Sequence, residues 1–308
     1  MPLYKTFFVE EYEKNIPLFL VNHKMGSIHS VFTNGMNIRM GERLFFIGTT
    51  KNGRLPFGIH LMGEQVHELL TTVPTSSSIF WKEETKELYI EEANAYIHFN
   101  NGSPYTNTIR KLPQEMSDLN IENIITLLVH ENTGLDINIG DFLLHYLTKS
   151  EKKCRIGKEI ERLMSAIHSD DVSEIEHVVR YFLGRGKGLT PSGDDHLIGI
   201  LAIHSLTDSF SLPFIQTLEK IVKHESITTD IGREYLLYAL KGEFSSSVTN
   251  IINNLDKNEQ QEYLMEHLQR LITMGHSSGV DTLFGMLIGL LSLRKHQSLN
   301  KHDHSIIT

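Results

Sequence analysis

The sequence predicts an α+β protein: a β-rich N-terminal region, built as an antiparallel sheet or small barrel, followed by a mostly α-helical C-terminal region. Three observations carry this. Apolar residues change from strand-like clustering to helical spacing near residue 115. Two segments of the second region echo each other, each a glycine-rich loop that runs into an apolar helix. The balance of 40% apolar and 22% charged residues over 308 positions is that of a globular chain able to bury a sizeable core. The expected organisation is a β-rich region over 1–115, a helical region over 116–295 that carries both loop–helix motifs, and a polar tail over 296–308.

In the first region short runs of β-branched and aromatic residues are broken by Gly, Asn and Pro. Ser27–Thr33, Asn37–Met40, Arg43–Thr49 and Phe57–Met62 read as strands. Ile79–Trp81 and Glu87–Ile90, split by Lys82–Lys86, read as a hairpin, and Ala95–Phe99 adds a strand. One helix interrupts them around Gly63–Thr71. In the second region Ile121–His130 and Phe142–Leu147 carry apolar residues three and four apart. Ser173 and Glu176 have capping-box spacing and open a helix that ends at Gly184. Thr228 and Thr229 open another over Arg233–Leu240, closed by Gly242. Asp256 and Glu259 start one that runs through Leu264, Leu268, Leu271 and Ile272 to Gly275. Thr282–Leu293 is the longest apolar stretch. It falls short of the roughly 20 residues of a membrane span and reads as a buried helix.

Composition narrows the function. A net charge of −9 repels nucleic acid and anionic membrane, so neither is an expected partner. The lone Cys154 has no disulfide partner and reads as a partly exposed, inert thiol. Met1–Glu13 has no basic-then-apolar signal pattern, so the expected location is the cytoplasm. His296, His302 and His304 read as part of a solvated tail rather than a metal site.

The echo aligns Ser192–Leu201 with Ser278–Leu287, pairing Gly193 with Gly279, Asp195 with Asp281, Leu197 with Leu283 and Gly199 with Gly285. A Ser-Gly turn entering a helix leaves backbone N–H groups without partners. They are met either by an acidic side chain or by an anion, so Asp195 and Asp281 read either as caps or as site residues. Gly199 with Ala202, and Gly285 with Gly289, offer small faces through which the two helices can pack and bring both loops to one end. In the first loop Gly186 and Gly188 can take positive φ and expose N–H groups in a concave nest. Arg185 and Lys187 add charge, and Thr190 and Ser192 add hydroxyls. The spacing is neither that of a Walker loop nor that of a dinucleotide fingerprint. Adjacent Asp194 and Asp195 are candidate ligands of a hydrated Mg²⁺; equally, one caps the helix and the other holds Lys187 or Arg185. Of the flanking histidines, His196 and His276, the second lies inside its loop and is the preferred proton-transfer group.

The string Gly186-Lys-Gly-Leu-Thr-Pro-Ser-Gly-Asp-Asp195, with Leu197 and Gly199 after it, resembles the signature of a bacterial domain-of-unknown-function family that includes the AllH-type subunit of oxamate carbamoyltransferase. Ser27–Phe32, Thr228–Gly242 and Gly275–Asp281 resemble three further segments of it. Arg185 and Lys187 depart from the pattern by standing where apolar residues or proline are expected, which makes the pocket more cationic. The resemblance implies a transferase subunit of allantoin degradation and purine catabolism, acting with two other subunits. That enzyme splits oxalurate with phosphate into oxamate and carbamoyl phosphate. On this reading Lys187, Gly188, Thr190, Ser192 and Gly193 of the first loop, with Ser278, Gly279 and Asp281 of the second, bind a small anionic metabolite such as phosphate or oxamate. Asp194, Asp195 and His276 serve the chemistry. The alternatives are a non-catalytic metabolite-binding or docking subunit, and an independent Mg-dependent hydrolase or phosphotransferase.

Overall fold

The computed structural model describes residues 4–111, 118–148, 155–255 and 261–305. Cys154, and the helix start expected at Asp256 and Glu259, lie outside them. The chain divides into two compact units, Met1–Asn107 and Thr108–Thr308.

The first unit is one ten-stranded sheet with two helices. Its elements are β1 (Lys5–Phe8), β2 (Glu11–Glu13), α1 (Ile16–Asn22), β3 (Met25–Phe32), β4 (Gly35–Met40), β5 (Arg43–Gly48) and β6 (Gly58–His60), then α2 (Gly63–Thr72), β7 (Ser78–Lys82), β8 (Glu87–Ile90), β9 (Ala95–His98) and β10 (Ser103–Tyr105). The strand order is β1-β9-β8-β7-β3-β4-β5-β6-β2-β10. One stretch of chain joins β1, at one edge of this order, to β2, beside the other edge. Val9 N–H donates to His98 O at one end, and Glu10 N–H to His60 O at the other, both at 2.9 Å. The sheet therefore curls into a half-barrel. It is mixed rather than antiparallel as expected: β1 with β9, β2 with β10, and β5 with β6 run parallel. Parallel strands cannot be joined by a tight hairpin, so these pairs leave no hairpin signal. β1, β2, β10 and α1 also went unread. The first three are short, and Pro17 near the start of α1 looks like a breaker but is tolerated in a first helical turn.

The second unit is helical: α3 (Asp118–Leu128), α4 (Ile139–Thr148), α5 (Arg155–Ala166), α6 (Val172–Phe182), α7 (Ser192–Thr207), α8 (Leu212–His224), α9 (Asp230–Ala239), α10 (Ser246–Ile252), α11 (Gln261–Ile272) and α12 (Ser278–Ser305). Thus the expected α+β class is observed. α12 continues as helix to Ser305, into the polar stretch expected as a tail. α6 is capped by Asp171, whose carboxylate accepts from Ser173 N–H at 3.0 Å and Glu174 N–H at 3.2 Å, so the expected Ser173 capping box is replaced by a cap two residues earlier. Thr229 caps α9 as expected, accepting from Gly232 N–H at 2.9 Å.

α7 and the first half of α12 are apolar on nearly every side and run through the middle of the unit. α6, α9 and α10 pack on α7; α3, α5 and α11 pack on α12. The two central helices meet glycine to glycine. A Cβ on Gly199 would stand 2.1 Å from Thr282 O, and one on Gly285 would stand 2.2 Å from His196 O. This reciprocal contact brings the starts of both helices together. No helix among the described residues is long and apolar enough to cross a membrane.

Candidate functional site

The echo in sequence is a duplicated helix–loop–helix. Gly184 (φ 69°) ends α6 and Gly275 (φ 66°) ends α11, both in the left-handed region that glycine tolerates. Each following helix then tucks its second residue under the helix before it. A Cβ on Gly193 would lie 2.0 Å from Phe182 O, and one on Gly279 would lie 1.7 Å from Leu271 O. Their N–H groups donate to Arg185 O at 2.8 Å and to Met274 O at 3.1 Å. These two glycines thus set the approach of neighbouring helices, and their donors are already engaged. Gly186 (φ 115°) and Gly188 (φ 93°) do take the positive φ expected of the first loop.

Where the two loops meet, Thr190 Oγ1 and Ser278 Oγ stand 2.9 Å apart. Both hydroxyls also bond Asp195. Asp281 Oδ1 accepts from Gly134 N–H at 2.9 Å and lies 3.2 Å from His196 Nε2. His196 and Asp281 are both fully buried and Asp195 is 4% exposed. Asp195 Oδ2 and Asp281 Oδ2 have no hydrogen-bond partner, nor is either His196 ring nitrogen aligned for one. Buried polar atoms are nearly always satisfied, so this concentration is what singles the place out as the candidate site. Gly134 closes the wall: a side chain there would begin 2.1 Å from Ser192 Oγ, 2.5 Å from Ser277 Oγ and 3.0 Å from Asp281 Oδ2.

The two carboxyls are driven apart in proton affinity. Burial raises Asp195 well above the ordinary carboxylate range, against the Ser278 hydroxyl, and the charges of Asp281 and Asp194 add to the rise. Burial also presses Asp281 upward. There the neighbouring His196, with Gly134 N–H and the Ser277 hydroxyl, outweighs it and leaves Asp281 below its usual value. Tyr235 of α9 is pushed up by burial and then by the Asp195 charge.

Of the residues singled out in the sequence, Thr190, Ser192, Asp195, Ser278 and Asp281 gather here. Asp194 faces away. Its Oδ1 accepts from Gly184 N–H at 2.8 Å and its Oδ2 takes the Thr228 hydroxyl. Burial, opposed by those two bonds, pushes it up to about 6. Lys187, Gly188 and His276 are exposed on the loops. Arg185 folds back over the Tyr181 ring, 3.9 Å from its centroid, and donates to Tyr181 O at 2.6 Å. Among the described residues no group of three or more His, Cys, Asp or Glu side chains could hold a metal ion. The sequence preferred His276, whereas the histidine brought to the carboxyls is His196. It also passed over Gly134 and Tyr235. The only signal for Gly134 was a turn-forming string, Asn132-Thr-Gly-Leu-Asp136, in which Asp136 takes a φ of 58°.

Among known families, residues 182–290 match the model described as oxamate carbamoyltransferase subunit AllH, and residues 11–104 match the AllH family N-terminal domain. The first match spans both loops with α7 and the buried part of α12; the second runs from β2 to β10. No solved structure matches the chain at a significant level.

Proposed function

The chain belongs to the AllH family, and on that premise we propose that it is a subunit of an oxamate carbamoyltransferase whose small anionic substrates are held where the α7 and α12 loops converge. The observation that supports this reading is the pair of duplicated carboxyls, Asp195 and Asp281, buried together with opposite proton affinities. Two titratable groups pushed apart by their surroundings can act as acid and base. In the reaction, a phosphate oxygen attacks the carbamoyl carbon of oxalurate and the C–N bond to oxamate breaks. One proton leaves hydrogen phosphate, and one is taken up by the departing amide nitrogen. Asp281, held ionised, accepts the first proton; Asp195, held protonated, gives the second. The Thr190, Ser192 and Ser278 hydroxyls face the oxyanion that develops between these steps. The loop around Lys187 and Gly188 lies outside the carboxyls and receives the anionic end of the substrate. In this reading Asp194 is a brace between α6 and α9 rather than a reacting group.

The test is turnover by the complex reconstituted with its partner subunits. Asp195→Asn and Asp281→Asn should each lower kcat by about 100-fold or more, the usual contribution of a general acid or base, with melting still cooperative. Normal turnover in both variants would remove the site from the chemistry. A second reading is supported by Leu189, half exposed at the tip of the first loop: the loop docks a partner subunit. It gains ground if the Asn variants are fully active but Leu189→Asp no longer co-purifies with the other subunits.

A further inference from the structure

The duplication makes Asp195 and Asp281 equivalent positions, yet the residue after each differs: His196 follows the first and Thr282 the second. That difference breaks the symmetry of the pair. His196 crosses to the other half and places Nε2 3.2 Å from Asp281 Oδ1. Its ring is held edge-on between two phenyl rings, Phe182 at 6.2 Å and Phe284 at 5.4 Å, with interplanar angles of 65° and 72°. Gly134 N–H binds the same Oδ1 at 2.9 Å. Both groups thus meet the same oxygen of Asp281, while Oδ2 is buried without a hydrogen-bond partner; Oδ2 and the Ser192 and Ser277 hydroxyl oxygens all lie close around Gly134.

We propose that His196 is the positioning residue of this site: clamped by Phe182 and Phe284, it fixes the Asp281 carboxylate through Oδ1 so that Oδ2 is presented to substrate. A fully buried His–Asp contact is a poor choice for stability alone, because well-packed apolar residues of similar volume often serve as well or better. The slot between two phenyl rings would accept such a residue. Orientation of the carboxylate is what the imidazole supplies and an apolar side chain does not.

The proposal rests on Asp281 acting in turnover, and the experiment separates the two. Wild type, Asp281→Asn, His196→Phe, His196→Met and His196→Gln are assayed in the reconstituted complex, each well below its thermal midpoint and with folding checked by circular dichroism. The Phe and Met variants should lose kcat by about 100-fold, the cost of misplacing a reacting group by an ångström, while KM for phosphate stays within about threefold of wild type. Gln carries an N–H donor at nearly the same reach and should recover about tenfold of that loss. If Asp281→Asn turns over normally, the underlying function falls. If Asp281→Asn is inactive while a folded Phe or Met variant keeps wild-type kcat, the positioning role alone falls. It falls equally if Gln is no better than Phe and Met, or if neither apolar variant folds, since His196 would then be a structural polar group.

Discussion

Asp194 and Asp195 are neighbours in the chain, yet the helix turns them to different jobs. Asp194 reaches Gly184 N–H and Thr228, tying the end of α6 to the start of α9. Its carboxyl is pushed up to about 6, which has a consequence for stability. A folded-state pKa above the unfolded value of about 3.9 gives a contribution that is complete below pH 4 and lost as pH rises through 6. For one such group the loss is on the order of 3 kcal/mol. Asn in its place keeps an acceptor for Gly184 N–H and an N–H₂ donor for Thr228, without the buried charge. Asp194→Asn should therefore gain on wild type as pH rises from 4 to 7. Urea unfolding of both proteins at pH 4.5 and pH 7.5 measures this, and a difference that does not change with pH would refute it. The sequence showed that an acidic pair opens a helix, and it showed the hydroxyls around it. It could not show which carboxylate faces which neighbour. The same limit held for the histidines: His276 lies within its loop and is exposed, whereas His196 lies one turn into α7 on the face that meets α12.

At the scale of elements, the crossing of α7 and α12 was the most legible feature, because glycines at matching positions of two apolar helices announce a close approach. Its cost can be tested. In a solvent-facing helix Gly→Ala gains up to about 1 kcal/mol of helix propensity. At Gly199 the new methyl would meet Thr282 O at 2.1 Å and Met286 N at 2.6 Å, backbone atoms that cannot turn aside. Gly199→Ala and Gly285→Ala should each destabilise by about 1–3 kcal/mol, the range for overpacked cores. Gly63→Ala, at the open first turn of α2 with nothing within 4 Å, should be neutral to within about 0.5 kcal/mol. Chemical denaturation of the three variants decides it. If Gly199→Ala is as stable as wild type, the helices have room to spare and the echo says little about packing. Helix starts were read less well than crossings. The cap of α6 moved from Ser173 to Asp171 because two potential capping residues stand within one turn, and only backbone geometry chooses between them.

At the scale of the molecule, the change of period near residue 115 and the division after Asn107 are separate signals. One marks where helices begin, the other where contacts stop. Pairings such as β1 with β9 escaped because they join segments some 90 residues apart, and strand propensity alone does not choose partners over that distance. The helical unit has a large core of its own. Its main core runs from Ile121 to Leu293, and the partly buried residues packed on it begin at Ile109. Every residue placed in the candidate site, from Gly134 to Asp281, also comes from this unit. A span of about 200 residues is well above the size at which a domain buries enough surface to be stable alone. Residues 108–308 expressed alone should therefore melt in one cooperative transition and bind phosphate or oxamate with the same affinity as the whole chain. Calorimetry of both proteins, for unfolding and for binding, makes the comparison. A broad, non-cooperative melt would show that the core needs the β-rich unit. A cooperative melt with binding lost would refute the placement of the binding site within residues 108–308.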